Sequence, residues 1–365
     1  MTSAVSGNFR FVDETVRVQI DSDPVGLTWL GEFVEPWFVA DHSGRFGTTV
    51  SVAIDPQIDD RIARTLAAAN DEAVCVLLDR GPVVFPAVRS GDAWSVADVD
   101  RGFVFEVDGE SITIFGPAGT RRHRFFLLRV LREVLAGRVR AQPEMLDLHA
   151  AAIGTGVGGV VICGHRRAGK TTTTCRALAA GASLISNDRV LVDMSASTPV
   201  VRGVPTVVAM RPPVDELFPV LRNTADRRSY LRSDEHATAA EASRSDVLAP
   251  HDLASRLGAT AVADSPLAAV IFPRFTDDPN GPSFEPVADL AELLRGNRYA
   301  GDHYFTPTLF ASPAPAPSEA AVDAAIGTLA SGGVVGLWAN LQRDVFGSMD
   351  RWLTELADQV VAGSR

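Results

Sequence analysis

The sequence lacks the features that mark secreted, membrane-spanning and nucleic-acid-binding proteins. No apolar run approaches the ~20 residues that a membrane-spanning helix needs, and the N-terminal stretch has no basic segment followed by an apolar one, as a secretory signal would. The 3 cysteines are too few and too scattered for a disulfide framework or a zinc site. The formal net charge is -11, and an acidic chain repels a phosphate backbone. We therefore expect a cytoplasmic protein that binds neither membranes nor nucleic acid.

Length and hydrophobic pattern predict two domains. The chain has 365 residues, of which 46% are hydrophobic and 22% charged, which is enough for two separate cores. Residues 1–118 contain short alternating runs between turn residues, which predict a mainly β N-terminal domain with one short helix at Asp59–Asn70. Arg121–Leu135 has helical spacing and predicts a connecting helix within residues 119–140, with Gly137 as its stop.

The arginines of this connecting helix allow two interpretations. They could form a binding patch, but a solvated helix face is the interpretation that we favour, because charge runs on helices are usually solvated. The residues concerned are Arg121, Arg122, Arg124, Arg129 and Arg132.

Residues 141–365 predict a second, α/β domain. Apolar runs at Leu146–Ile153 and Val157–Cys163 have the length of strands, and Thr171–Ala180 has the pattern of a helix. The glycine-rich turn Gly154–Gly159 fits GxGxxG, but it connects two strands rather than a strand and a helix, so it does not predict a dinucleotide site. A further strand is predicted at Ser183–Ser186.

The segment Gly164–Thr171, GHRRAGKT, matches the phosphate-binding pattern GxxxxGK[ST]. Its glycines let backbone N–H groups surround a phosphate, Lys170 reaches the β- and γ-oxygens, and the Thr171 hydroxyl binds Mg²⁺ at a helix N-terminus. The segment lies between a predicted strand and a predicted helix, as this mechanism requires. The sequence therefore predicts a site for ATP or GTP with Mg²⁺, formed by Gly164, Arg167, Ala168, Gly169, Lys170, Thr171 and Thr172.

Asp188 is the first carboxylate after this loop and follows a predicted strand. An aspartate in that place can hold Mg²⁺ directly or through water. The alternative is a residue that caps a turn. On the first interpretation Thr171 and Asp188 are the metal ligands.

These segments together resemble the catalytic domain of HPr kinase/phosphorylase, whose core is shared with ATP-type phosphoenolpyruvate carboxykinases. The resemblance rests on the sequence HAAA from His149, the phosphate loop, and GASLISNDRV over Gly181–Val190, and it covers Leu146–Pro219. It implies an α/β P-loop core. It also implies that Asp188 matches the second aspartate of the family's pair, His149 the histidine near the phosphates, and Arg211 the arginine of a signature segment.

Two positions depart from that family's pattern. Asn187 stands where the family has its first aspartate, the presumed general base toward the acceptor hydroxyl, and Ala209 stands where the family has glutamate. An amide does not accept a proton as a carboxylate does. Either Asp188 serves both metal and base, or the acceptor needs little help from a base, because phosphoryl transfer depends mainly on positioning and charge neutralisation.

The sequence thus predicts a kinase that transfers the γ-phosphate to a hydroxyl of a peptide or protein serine, or of a small metabolite. The alternative is a nucleotide-binding regulatory or scaffold protein without transfer activity. Asp188, His149, Arg211 and Asn187 are the candidate catalytic residues. A polar stretch contains Arg295, Arg298, Asp302 and His303. It either contributes to the acceptor site or, with better support, forms a surface loop. The sequence leaves open whether the protein forms a homo-oligomer.

Overall fold

The computed structural model describes residues 4–21, 24–77, 81–117, 122–165, 167–209, 214–221, 247–276, 283–299, 317–342 and 349–363. Over these ranges the protein is a mixed α/β structure with two large sheets and one small one. No helix within the same ranges is both long and apolar enough to cross a membrane.

The first large sheet has nine strands in the order β3-β1-β2-β4-β9-β8-β7-β6-β5. The pairs β2–β4 and β4–β9 are parallel, and the other neighbours are antiparallel. The bounds are β1 Val5–Phe11, β2 Glu14–Ile20, β3 Val39–Ala40, β4 Thr48–Ile54, β5 Asp71–Leu77, β6 Gly81–Ser90, β7 Ala93–Asp98, β8 Phe103–Asp108 and β9 Ser111–Gly116.

Helices cover both faces of this first sheet. Side chains alternate between faces along a strand, so Phe103 and Phe105 face α1 (Pro24–Val34) and α3 (Arg122–Arg140), where Phe105 contacts Phe126 edge to face. Val104 faces the other way and joins a small apolar cluster with Ile58 and Ile62 of α2 (Ile58–Ala68).

Three predictions for this region need correction. The helix α1 was not expected, because its sequence PVGLTWLGEFV contains two glycines and several residues that favour strands. The helix α3 continues through Gly137 to Arg140. Its arginines do not form one solvated face, since Arg124 and Arg132 are buried; the side chains of Arg121 and Arg122 lie outside the described residues.

The second large sheet has nine strands, with the path β10-β14-β15-β18-β12-β11-β13, and with β20 pairing β18 and β19. The strands β12, β18 and β20 are mutually parallel along this path, whereas β11 is antiparallel to both β12 and β13. The bounds are β10 Met145–Leu148, β11 Ala150–Thr155, β12 Gly158–Cys163, β13 Ser183–Ser186, β14 Val190–Asp193, β15 Val200–Gly203, β18 Asp264–Thr276, β19 Ser283–Pro286 and β20 Val335–Gln342. A separate two-stranded sheet pairs β16 Val208–Ala209 with β17 Val247–Leu248.

The predicted strand Leu146–Ile153 is in fact two strands with a bend at His149. The residues before the bend pair with β14, and those after it pair with β12 and β13. The apolar run continues through the bend because both strands are buried, so hydrophobicity alone does not reveal where the chain changes partners.

Both faces of the second sheet are buried, and the central strand β12 is apolar along its length. Val160 and Ile162 pack on the side of α4 (Lys170–Ala179), while Val161 and Cys163 pack on the other side with α7 (Leu290–Arg295) and α8 (Glu319–Ser331). The remaining helices are α5 Val214–Leu217, a 3₁₀ turn at Pro219–Leu221, α6 Pro250–Arg256, α7 Leu290–Arg295, α8 Glu319–Ser331 and α9 Met349–Gly363.

The two large sheets share one continuous hydrophobic cluster that includes side chains of α3 and α4. Trp37, which follows α1, donates an indole hydrogen bond of 2.5 Å to the carbonyl of Ile185 in β13. The indole packs against Gly203, where any larger residue would collide with it. The division into domains at residues 118 and 140 stays a prediction.

Candidate nucleotide site

Three segments of the second sheet reach the same edge. The strand β12 ends at Cys163, which pairs with Ala150 at the start of β11, and β13 ends at Ser186, which pairs with Ala152. Because β11 runs antiparallel to both neighbours, the residue before it lies beside the residues that follow them. His149, the phosphate loop and the pair Asn187–Asp188 therefore meet at one edge.

The phosphate loop depends on backbone conformations that favour glycine. Gly169 has φ 93° and Arg167 has φ 68°. A β-carbon at Gly169 would lie 2.7 Å from Cζ of Phe275, at the end of β18, and nearer still to Cε2. The Arg167 side chain is exposed. The loop closes with a hydrogen bond of 3.0 Å from the Ala168 N–H to the His165 carbonyl.

Lys170 is the buried cation of this loop. Its side chain is 8% exposed, and its ammonium donates a 2.6 Å hydrogen bond to the carbonyl of Gly164. Burial lowers the pKa of Lys170 below its ordinary value, against the charge of Asp188, which raises it. An ammonium held in low dielectric near one carboxylate is well placed to gain from a bound polyanion.

The helix α4 begins at Lys170 and opens toward this loop. The side chains of Thr171 and Thr172 are half-buried, and neither makes a hydrogen bond within the described part of the chain. Thr174 instead bonds back to the Lys170 carbonyl at 2.9 Å. The first-turn N–H groups and the Thr171 hydroxyl are thus available to phosphate and a metal ion.

Asp188 and His149 face each other across the site. The His149 Nε2 lies 3.6 Å from the Asp188 Oδ1, with 28% and 44% of the two side chains exposed. The His149 ring stacks on Tyr299 with an interplanar angle of 13°. The turn that presents Asp188 is closed by Ser186, whose hydroxyl donates to the Arg189 carbonyl at 2.7 Å. The Asp188 carboxylate itself contacts His149.

Asn187 points away from this pair. Its side chain is buried, and its Oδ1 accepts a 3.0 Å hydrogen bond from the Thr206 hydroxyl. The amide at this position is therefore already engaged by the protein. Of the two residues Asn187 and Asp188, the second presents its functional group to the open edge of the site.

Arg189, which follows Asp188, is fully buried and holds this stretch of chain through ion pairs. Its guanidinium forms a two-bond pair with Asp147, at 2.8 and 3.1 Å, and bonds both oxygens of Glu133 on α3 at 3.2 Å. The Tyr299 ring covers it at 4.1 Å. Sequence reasoning missed this role, although an arginine that opens the apolar strand β14 is a signal for a buried ion pair.

Several predicted residues do not join the site in the described ranges. Arg295 pairs with Asp323 and Arg298 with Glu319, both on α8, as exposed ion pairs. Ala209 lies in the small two-stranded sheet. The candidate arginine Arg211, and also Asp302 and His303, lie outside the described residues.

Candidate metal ligands at this edge are the Thr171 hydroxyl and the Asp188 carboxylate. Within the described ranges, His, Cys, Asp and Glu side chains form no group of three or more that could hold a metal. Mg²⁺ typically binds through one or two carboxylates together with phosphate oxygens and water. Thr171 and Asp188 supply a donor set of this size beside the loop.

Comparisons with known proteins find similarity to solved structures. No protein family and no curated protein matches the sequence. The HPr(Ser) kinase/phosphatase from Coxiella burnetii is similar over 59% of this chain and 97% of that protein, with 9% sequence identity and a TM-score of 0.30. A TM-score of this size does not establish a common fold, so the inferences below rest on the residues of this chain.

Proposed function

We propose that the protein binds ATP or GTP with Mg²⁺ at Gly164–Thr171 and transfers the γ-phosphate to a hydroxyl group. The observation that carries the proposal is the arrangement of Lys170, Asp188 and His149 at one sheet edge. The ammonium of Lys170 rests on a backbone carbonyl of the loop, and the Asp188–His149 pair lies at the same edge. In the proposed reaction this combination would supply positive charge, a metal ligand and a proton acceptor.

The roles follow from the chemistry of each group. Gly169 and the N–H groups at the start of α4 surround the phosphates, and Lys170 neutralises their charge. Thr171 and Asp188 would hold Mg²⁺, which supplies further charge neutralisation on the phosphate oxygens when bound. Asp188, supported by His149, accepts the proton of the attacking hydroxyl. An acceptor of either class, a serine in a peptide or protein or an alcohol on a small metabolite, fits these roles.

The engagement of Asn187 favours a second candidate, a nucleotide-binding regulatory protein without transfer activity. Its side chain is buried against Thr206, so the position that would carry a general base by family resemblance presents no proton acceptor to the site. On this second candidate nucleotide still binds, and Asp188 only fixes the metal ion.

Lys170 permits a direct test of nucleotide binding because it is the only lysine in the chain. An acyl phosphate of ATP should acylate this side chain, since burial lowers its pKa and leaves more of it as the free amine. Excess ATP should suppress the labelling, and Lys170→Ala should leave the N-terminal amine as the one primary amine. Labelling of the N-terminal amine at the same rate as Lys170 would contradict a nucleotide site at Lys170.

Phosphate transfer is tested separately with γ-labelled ATP and panels of serine peptides and alcohols. Transfer by the wild type, lost in Asp188→Asn, supports the kinase. Protection of Lys170 by ATP without transfer to any acceptor supports the regulatory candidate. In that case Asn187→Asp, which restores a carboxylate pair, is the variant in which to look for gained transfer.

A further inference from the structure

We propose that Asn297 is a positioning residue that holds the entrance of the phosphate loop and joins it to His149. The proposal rests on the nucleotide site proposed above and extends it to a residue 133 positions away from Gly164. Asn297 lies between α7 and the described end of that segment at Tyr299, in a stretch for which the sequence predicted a surface loop. It is nevertheless buried, with 6% of its side chain exposed.

Both ends of the Asn297 amide are used. Its Oδ1 accepts a 2.7 Å hydrogen bond from the N–H of Gly164, the first residue of the phosphate loop. Its Nδ2 donates a 2.7 Å bond to the carbonyl of Leu293 in α7. Since donor and acceptor are each fixed by a partner of the opposite kind, the side chain has one orientation. It connects the loop rigidly to α7.

The main chain of the same residue supports His149. The Asn297 carbonyl accepts a 2.9 Å hydrogen bond from the His149 N–H. Arg298 forms an isolated antiparallel bridge with Leu148, and the Tyr299 N–H donates to the Asp147 carbonyl at 2.9 Å. Residues 297–299 thus lie along 147–149 like a short additional strand. One residue therefore fixes the two sides of the proposed site.

The arrangement of Gly164 explains why this support matters for binding. Its N–H is held by Asn297, and its carbonyl is held by the ammonium of Lys170. When Lys170 moves to the phosphates of a nucleotide, the contact with the carbonyl is lost. Asn297 then remains as the side chain that anchors Gly164. Among the described residues, two side chains hold Gly164 in the loop without a ligand and one holds it when a nucleotide is bound, so Asn297 matters most in the bound state.

The test compares Asn297→Ala with wild type in titration calorimetry with Mg-ATP, using the full-length chain. We expect a dissociation constant about tenfold higher, which corresponds to about 1.4 kcal/mol, with an unchanged number of sites. Asn70→Ala is the matched control, because the Asn70 amide also bonds one backbone donor and one backbone acceptor, those of Arg89, but in the first sheet. The control should bind ATP as the wild type does.

A purely structural role gives a different result. Destabilisation alone lowers the melting temperature and the number of binding sites but leaves the dissociation constant of the remaining sites unchanged, and this outcome overturns the proposal. Absence of ATP binding in the wild type would instead refute the proposed function, so the two failures are distinguishable. An Asn297→Ala chain that binds as tightly as wild type also overturns the inference.

Asn297→Asp provides a second variant if Asn297→Ala does not fold. It keeps the acceptor oxygen and loses the donor to Leu293, so the Gly164 amide should remain as protected from hydrogen exchange as in the wild type when Mg-ATP is bound. Because the added charge is buried, where salt screens it little, hydrogen exchange at Gly164 rather than affinity is the readout for this variant. Rapid exchange at Gly164 in this variant would show that the Asn297 oxygen does not hold the loop.

Discussion

Gly169→Ala tests the packing of the phosphate loop most directly. Gly169 has φ 93°, and a β-carbon added there would collide with the ring of Phe275. Gly181, at the other end of α4, has nearly the same φ of 96° but no atom near the position of a β-carbon. The two glycines flank one helix and share the same backbone strain on substitution. They differ in whether the new methyl group meets a neighbour.

The magnitude follows from this comparison. A β-carbon in the left-handed region costs about 1–2 kcal/mol, so Gly181→Ala should lower the free energy of unfolding by about that amount. Gly169→Ala carries the same strain and also forces the Phe275 ring to move, which adds about 1–3 kcal/mol of overpacking. We expect a total loss of about 2–5 kcal/mol for Gly169→Ala. Affinity for Mg-ATP should fall in Gly169→Ala and stay unchanged in Gly181→Ala.

Urea denaturation of both variants and of a double-mutant cycle with Phe275→Ala provides the measurement. Removing the ring should bring the cost of Gly169→Ala down to that of Gly181→Ala, since only backbone strain then remains. Equal losses for the two single variants in the wild-type background would refute the reasoning, because the Phe275 contact would then contribute nothing. A cycle without coupling would refute it as well.

Three further predictions concern Asp188, Arg189 and Cys163. Asp188→Asn should reduce phosphate transfer, measured by labelled-ATP turnover, by about 100-fold or more. The ATP dissociation constant, measured by calorimetry, should change less than about tenfold. A turnover equal to wild type would show that Asp188 is not catalytic. Arg189→Met removes the fully buried partner of Asp147 and Glu133, which retain contacts with Arg140 and Arg132, and should lower the free energy of unfolding by about 3 kcal/mol, the lower end expected for a broken buried pair. Arg202 is partly exposed and also pairs with two aspartates, so Arg202→Met should lower the free energy of unfolding by about 1 kcal/mol or less. Equal losses for Arg189→Met and Arg202→Met would contradict the buried network. Burial raises the pKa of Cys163 to about 12, so the folded thiol is protonated at pH 8. Iodoacetamide should therefore label Cys163 only after unfolding in urea, and mass spectrometry of its peptide would show this.

The strand, loop and helix around Gly164–Thr171 were predictable because their signal is local. Strand, loop and helix follow one another within Gly158–Ala179, and each part has its own pattern: an apolar run, spaced glycines with a lysine, and a helix that stops before Gly181. The structure has the strand at Ser183–Ser186 as expected. The glycine turn between β11 and β12 is likewise a connection between paired strands.

The supporting residues were not predictable, because their partners are distant in sequence. Asn297 reaches Gly164, and Arg189 reaches Glu133 on α3, which is 56 positions earlier. No periodicity or spacing encodes such a pair, since it arises only when two sheets and a helix pack together. Arg298 shows the opposite case. Its polar surroundings in the sequence were compatible with a role in the site, but it forms an exposed ion pair with Glu319.

The departure at Asn187 is consistent with the environment of that side chain. A carboxylate at this position would be buried, as the amide is, and would stand next to Asp188. Desolvation and the neighbouring charge would both raise its pKa, so without a bound cation it would be destabilising when ionised. The amide keeps the hydrogen bond from Thr206 without that charge. Asp188, half-exposed beside His149, is then the carboxylate that this segment presents to the proposed site, and both metal binding and proton acceptance in the proposed reaction depend on it.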